Sequence, residues 1–167
     1  MHAEVYWIPA PGAGRLAIMP HPRGDERLAD ELRSLKEQGV TLNVSLQEED
    51  EAEDLGLKDE PRLSDGVGLR FRRFPIQDHS APPLDRVTFD FIEELAGEVR
   101  SGEGVAVHCM AGIGRSGLIC IAVLIVLGME PVAAMNAASD ARGFALPETD
   151  EQCSWLRDYV LRRNQGC

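Results

Sequence analysis

Between Val105 and Gly117 the chain places a thiol, a guanidinium and three glycines within one short window: Cys109, Arg115, Gly112, Gly114 and Gly117. The apolar stretch ahead of Cys109 reads as a buried strand, and the apolar run after Arg115 reads as a helix. A strand that enters a tight loop opening a helix gathers backbone N–H groups around one point at the positive helix end. Phosphate is the natural occupant of such a point. Cys109 sits where that field is strongest, and the thiolate is the nucleophilic form of cysteine. Arg115 follows six positions later, so a cradle-shaped loop can turn its planar fork toward two oxygens of the same phosphate. A phosphoryl group in flight spreads charge over its equatorial oxygens. Amides and a guanidinium fixed around those oxygens stabilise it without reorganising. The expected phosphate-binding set is therefore Met110, Ala111, Gly112, Ile113, Gly114 and Arg115, with the glycines allowing close backbone approach.

Such a reaction needs a proton for the departing oxygen, and a positioned carboxylic acid can supply it. The proline-bracketed segment Phe74–Pro83 follows a predicted strand, so it can reach the same end of a sheet and act as a flap. It carries Asp78 and His79, with Asp85 just beyond it.

His108-Cys109-x5-Arg115-Ser116 resembles the signature of the protein tyrosine phosphatase superfamily, and the short chain is similar to its compact dual-specificity type. The order of elements from about Val40 to Asn164 is also similar. The resemblance implies a cysteinyl-phosphate intermediate, no metal and no cofactor. Carried onto matching positions, it makes Cys109 the nucleophile, Arg115 the phosphate clamp and Asp78 the general acid. Ser116 donates a hydrogen bond to the sulfur, and His108 holds the loop. The segment Arg142–Gln152 resembles the stretch whose glutamine positions the hydrolytic water, which points to Gln152. Gln152 is equally a helix-capping residue behind Thr149. Asn43 reads as a turn former or a partner of the phosphate loop, and Cys120 as buried packing or a resolving thiol.

These groups must be carried by a scaffold. Val5–Ile8 and Leu16–Met19 predict a strand hairpin, and Asp25–Gln38 predicts a helix stopped by Gly39. Val40–Leu46, Val67–Phe74 and Val105–His108 predict strands. The acidic run Gln47–Asp54 reads as a solvated face, and Leu57–Gly68 as a connection rich in turn residues. Leu84, Val87, Phe91, Leu95 and Val99 form a helical stripe within Leu84–Arg100. Further helices are expected at Arg115–Leu127, Pro131–Asp140 and Thr149–Asn164. Alternating strands and helices give a single α/β domain over residues 1–167, a central mostly parallel sheet flanked by helices on both faces. Its active site belongs at the carboxyl ends of the strands.

Composition narrows the partners. The 167 residues carry a net charge of -11, which argues against nucleic acid and anionic lipid as ligands. Cys109, Cys120, Cys153 and Cys167 show no zinc spacing. The first residues lack the basic start of a signal peptide, and Leu118–Met129 is too short to span a bilayer. A reduced, cytoplasmic, monomeric protein without membrane or nucleic-acid partners is expected. The same loop spells Gly112-x-Gly114-x-x-Gly117, a dinucleotide-binding pattern. Too few residues separate it from Glu130 for the helix and strand that pattern requires. The expected substrate is a phosphorylated protein, phosphotyrosine first, with phosphoserine or phosphothreonine as well. Inositol phosphates or other small phosphate esters, and a non-catalytic phosphoprotein-binding role, are the alternatives.

Overall fold

The computed structural model describes residues 2–166. Five strands form one sheet: β1 (Tyr6–Ile8), β2 (Arg15–Pro20), β3 (Leu42–Ser45), β4 (Arg70–Arg73) and β5 (Gly104–Cys109). Seven α-helices accompany them: α1 (Leu28–Glu37), α2 (Glu49–Asp54), α3 (Glu60–Gly66), α4 (Arg86–Arg100), α5 (Gly114–Val126), α6 (Pro131–Arg142) and α7 (Asp150–Asn164).

The sheet order is β1-β2-β5-β3-β4, with β1 antiparallel to β2 and every other pairing parallel. The central strand β5 is buried at all six positions, as a strand covered on both faces must be. Side chains alternate across a strand, and the two cores follow that alternation. Leu16, Ile18, Val44, Val105 and Val107 pack with Phe91, Leu95, Leu118 and Trp155, so α4, α5 and α7 cover one face. Ala17, Met19 and Ala106 pack with Leu28, Leu32, Leu35 and Leu57 on the other. The mostly parallel sheet with helices on both faces is thus as expected. The same alternation sends Cys109 toward the α5 face and His108 toward the opposite one.

Three elements differ from expectation. Leu57–Gly68 is no plain connection, because it contains α3. Pro61 sits in the first turn of that helix, where a missing N–H costs nothing. On α4 the buried face is Thr88, Phe91, Ile92, Leu95, Ala96 and Val99, and Val87 is 67% exposed. The Asp85 cap sets that rotation: its carboxylate accepts from Thr88 N at 3.0 Å, turning Val87 outward. The helix expected from Asp25 begins with a 3-10 turn, Asp25–Arg27, before α1.

Candidate active site

Cys109 ends β5, and the chain turns through residues 110–113 into α5, whose thirteen residues are all buried. The Cys109 sulfur is 3% exposed as a residue and lies 3.2 Å from Ser116 Oγ. The loop rests on the end of β2. Gly112 has φ +67°, and a Cβ there would stand 2.4 Å from Met19 C and Pro20 N. His21 N donates to Met110 O at 3.2 Å and Leu46 N to His108 O at 2.9 Å, which fixes both flanks.

The Arg115 side chain is 1% exposed and is gripped from several sides. Its Nη1 and Nη2 donate to the two carboxylate oxygens of Glu51 at 2.8 and 2.7 Å. Nη1 also donates to Ile76 O at 2.9 Å, and Nη2 lies 2.9 Å from Asp78 Oδ1. Nε is buried and makes no hydrogen bond. Nε is thus the one nitrogen of this guanidinium without a partner, beside Nη2, which is shared between Glu51 and Asp78. Burial alone would favour the uncharged guanidine, but Glu51, the Cys109 sulfur and Asp78 outweigh it and hold Arg115 above its ordinary range. Burial likewise pushes Glu51 up, and the Arg115 partnership more than reverses it, so its carboxyl lies below the usual range. Glu51 belongs to the acidic run read as a solvated face. That reading holds for Glu48, Glu49, Asp50, Glu53 and Asp54, which are exposed, and fails for Glu51 and for the buried Gln47 and Ala52.

The segment bearing Asp78 leaves β4 and is tied down along its length. Phe74 stacks on Phe91 with centroids 4.0 Å apart, and Ile76 N donates to Leu46 O at 2.9 Å. Gln152 Nε2 reaches Ser80 O at 3.3 Å, and Trp155 Nε1 donates to Pro82 O at 2.7 Å. Asp78 is thereby brought to Arg115, while Asp85 is spent on the α4 cap. His79 lies beside Asp78, its Nε2 3.6 Å from Oδ2.

Gln152 is fully buried and caps α7 in a reciprocal box with Thr149. Its Oε1 accepts from Glu148 N and Thr149 N at 3.2 and 3.3 Å. It nevertheless abuts the start of α5: a Cβ on Gly114 would meet Gln152 Nε2 at 3.2 Å and Glu148 Oε2 at 2.3 Å.

Beneath the loop lies a pair the sequence reading missed. His108 Nε2 and Glu60 Oε1 are 2.8 Å apart, both side chains fully buried. Asn43 Nδ2 donates to the same Glu60 oxygen at 2.8 Å. Asn43 is neither a turn former nor a direct partner of the phosphate loop. It is an interior strand residue that reaches the loop through Glu60 and His108. Burial would raise the Glu60 pKa, but His108, Asn43 and Arg73 together hold it below the usual carboxylate range. Cys120 is fully buried with its thiol directed at Ala17 O, 3.7 Å away, and burial pushes that thiol's pKa up. Cys167 lies outside the described residues.

Residues 17–129 match the family described as "Polymorphic toxin system, DSP-PTPase phosphatase". The chain belongs to this DSP-PTPase phosphatase family. Among curated relatives it is 33% identical over 92 residues to protein tyrosine phosphatase PRL-1 of Trypanosoma cruzi, covering 53% of this chain and 51% of that protein. A glycine-to-alanine form of Tk-PTP superposes with a TM-score of 0.74 at 29% identity, covering 91% of this chain and 93% of the other. Kinase-associated phosphatase, crystallised with its catalytic cysteine replaced by serine, has the same fold: TM-score 0.87, 19% identity, 97% and 96% coverage. The chain spans between 44% and 60% of the length of the first three curated relatives it matches. The family match contains Cys109, Arg115, Asp78, Glu51 and Glu60, and it ends before Arg142 and Gln152.

Proposed function

We propose that this chain hydrolyses phosphate monoesters on proteins, phosphotyrosine first and phosphoserine or phosphothreonine as well, through phosphorylated Cys109. The observation that carries the reading is the convergence of Cys109, Ser116, Arg115 and Asp78 at the carboxyl end of β5. Substrate phosphate takes the Nε and Nη2 edge of Arg115 and the amides of residues 110–115, displacing Asp78 from Nη2. The Cys109 thiolate attacks phosphorus. The S–P bond forms, the P–O bond breaks, and the departing oxygen takes the proton of Asp78. Water then attacks the same phosphorus and gives a proton to Asp78. The P–O bond forms as the S–P bond breaks, which returns the thiolate and releases inorganic phosphate. Ser116 Oγ, 3.2 Å from the sulfur, stabilises the thiolate both as nucleophile and as leaving group. Gln152, wedged between the acid loop and Gly114, orients the attacking water.

No helix among the described residues is long and apolar enough to cross a membrane. We place the protein in the cytoplasm, because a cysteine nucleophile works where thiols stay reduced. The net charge of -11 favours a singly phosphorylated side chain over polyanionic ligands such as inositol polyphosphates or nucleic acid.

Hydrolysis of a small aryl phosphate in EDTA tests the reading. Turnover by the wild type, lost in Cys109→Ser with the fold intact, is expected. Residual turnover by pure Cys109→Ser would remove the nucleophile from its role. A folded wild type that binds phosphopeptides without turning over would make the domain a binding module.

A further inference from the structure

Arg142, in the last turn of α6, reaches back to the phosphate loop. Its Nε donates to Gly112 O at 2.7 Å and its Nη2 to Ala111 O at 3.1 Å. An arginine at a helix end ordinarily satisfies the carbonyls of its own helix. These two carbonyls belong instead to a loop thirty positions earlier in the chain. The guanidinium is also packed by two rings, Tyr6 at 4.3 Å and Phe144 at 5.0 Å from their centroids. Rings on a guanidinium hold its plane without competing for its N–H donors.

We infer that Arg142 is a positioning residue of the phosphatase reaction: it fixes the oxyanion-binding amides of the phosphate loop from behind. The inference rests on the function proposed above and deepens it. A trans peptide is planar, with its C=O and N–H pointing in opposite directions. The Ala111 carbonyl shares a peptide plane with the Gly112 N–H, and the Gly112 carbonyl shares one with the Ile113 N–H. Pinning both carbonyls outward on one rigid fork turns both N–H groups toward the cradle, in the orientation an oxyanion requires. Gly112, with its left-handed φ, is the residue most able to let these planes rotate. The fork therefore acts where the loop is softest. Arg142, Tyr6 and Phe144 all lie outside residues 17–129, the stretch that the family match covers. The back of the cradle is thus built by the first strand and by the turn after α6.

Tungstate, a tetrahedral oxyanion, reads the cradle without turnover. Its affinity is measured by calorimetry for the wild type, Arg142→Met and Arg142→Lys, beside their unfolding temperatures. In Arg142→Met, tungstate affinity is expected to fall about 10-fold and kcat/KM for an aryl phosphate about 10- to 100-fold, the cost of misaimed oxyanion donors. Arg142→Lys keeps the charge but loses the two-point fork, and should recover only part of the loss. A merely structural arginine would change the unfolding temperature and leave tungstate affinity of the folded protein as in the wild type, which would overturn the inference. Should Arg142→Met fail to fold, Arg142→Lys carries the test: tungstate affinity equal to the wild type overturns the inference, and a weakened one sustains it. A wild type that does not bind tungstate would defeat the phosphate-site reading itself, and this inference with it.

Discussion

Glu51 and Arg115 meet fork to fork: both carboxylate oxygens of Glu51 lie 2.7–2.8 Å from the two terminal nitrogens of Arg115. A guanidinium on a three-carbon stem has many orientations, and a bidentate partner removes most of them. The partner here grips the terminal edge and leaves Nε free of hydrogen bonds. In the reaction proposed above, Glu51 thus acts on phosphate through Arg115.

Glu51→Ala should release Arg115 while leaving the cysteine and the loop in place. A catalytic group misplaced by about 1 Å can cost about 100-fold in rate. We expect kcat/KM for an aryl phosphate to drop about 10- to 100-fold, with Glu51→Asp also impaired because its shorter stem cannot reach both nitrogens. Steady-state kinetics decide the matter, and an Ala variant as active as the wild type would show that Arg115 needs no such partner.

Asp78→Ala should reveal its role through the leaving group. General acid catalysis contributes about 100- to 10,000-fold where the departing oxygen is basic. Hydrolysis of a phosphoserine or phosphothreonine peptide is expected to fall far more than that of a nitrophenyl ester, whose phenoxide leaves without help. Equal losses on both substrates would assign Asp78 to holding Arg115 alone.

At Gly112 the backbone leaves no space for a methyl group. Alanine there would place a Cβ 2.4 Å from the backbone of Met19 and Pro20, on a left-handed φ of +67°. Overpacking costs about 1–3 kcal/mol, and the loop must shift to relieve it. Urea unfolding should show that destabilisation, and aryl phosphate turnover should be nearly lost. Retained turnover would mean that the loop tolerates displacement from β2.

The Glu60–His108 pair makes a prediction about acid. Glu60 has its folded pKa below the ordinary value of 4.5. Its contribution to stability is therefore present in full above about pH 4.5 and is lost as pH falls through the folded value. Glu60→Gln should destabilise the protein by about 3–5 kcal/mol at pH 7, the cost of stripping one partner from a buried pair. The gap between variant and wild type should narrow toward pH 3. Urea titrations at both pH values measure it, and a constant gap would sink the linkage.

The geometry of the loop was legible because it is local: Cys109, Arg115 and Ser116 sit within eight consecutive residues between a strand and a helix. Asp78 was legible for a similar reason, since prolines mark its loop. Glu51 was hidden by its own neighbours. In an acidic run one carboxylate looks like another, and only the burial of Ala52 and Gln47 beside it marks the inward face of α2. Glu60 was hidden by the turn residues around it, although Pro61 in the first turn is a helix signal. Its partner His108 lies 48 positions away, and Arg142 is comparably far from the carbonyls it holds. Pairings at such separations follow from the strand order, which no local pattern states. The α4 stripe held at Phe91, Leu95 and Val99 and failed at Val87, in the first turn, where the Asp85 cap and not the apolar spacing decides how the helix begins.

The hydrogen bond from Trp155 to Pro82 has a spectroscopic consequence. The chain contains two tryptophans, and Trp7 lies in β1 with the Arg15 guanidinium 3.6 Å over its ring. Trp155 is the one bonded to the segment that carries Asp78. Its emission therefore responds to the position of that segment. A Trp7→Phe form would hold a single fluorophore bonded to the segment that carries Asp78, and stopped-flow mixing with tungstate would show, with no added label, whether that segment shifts when an oxyanion binds.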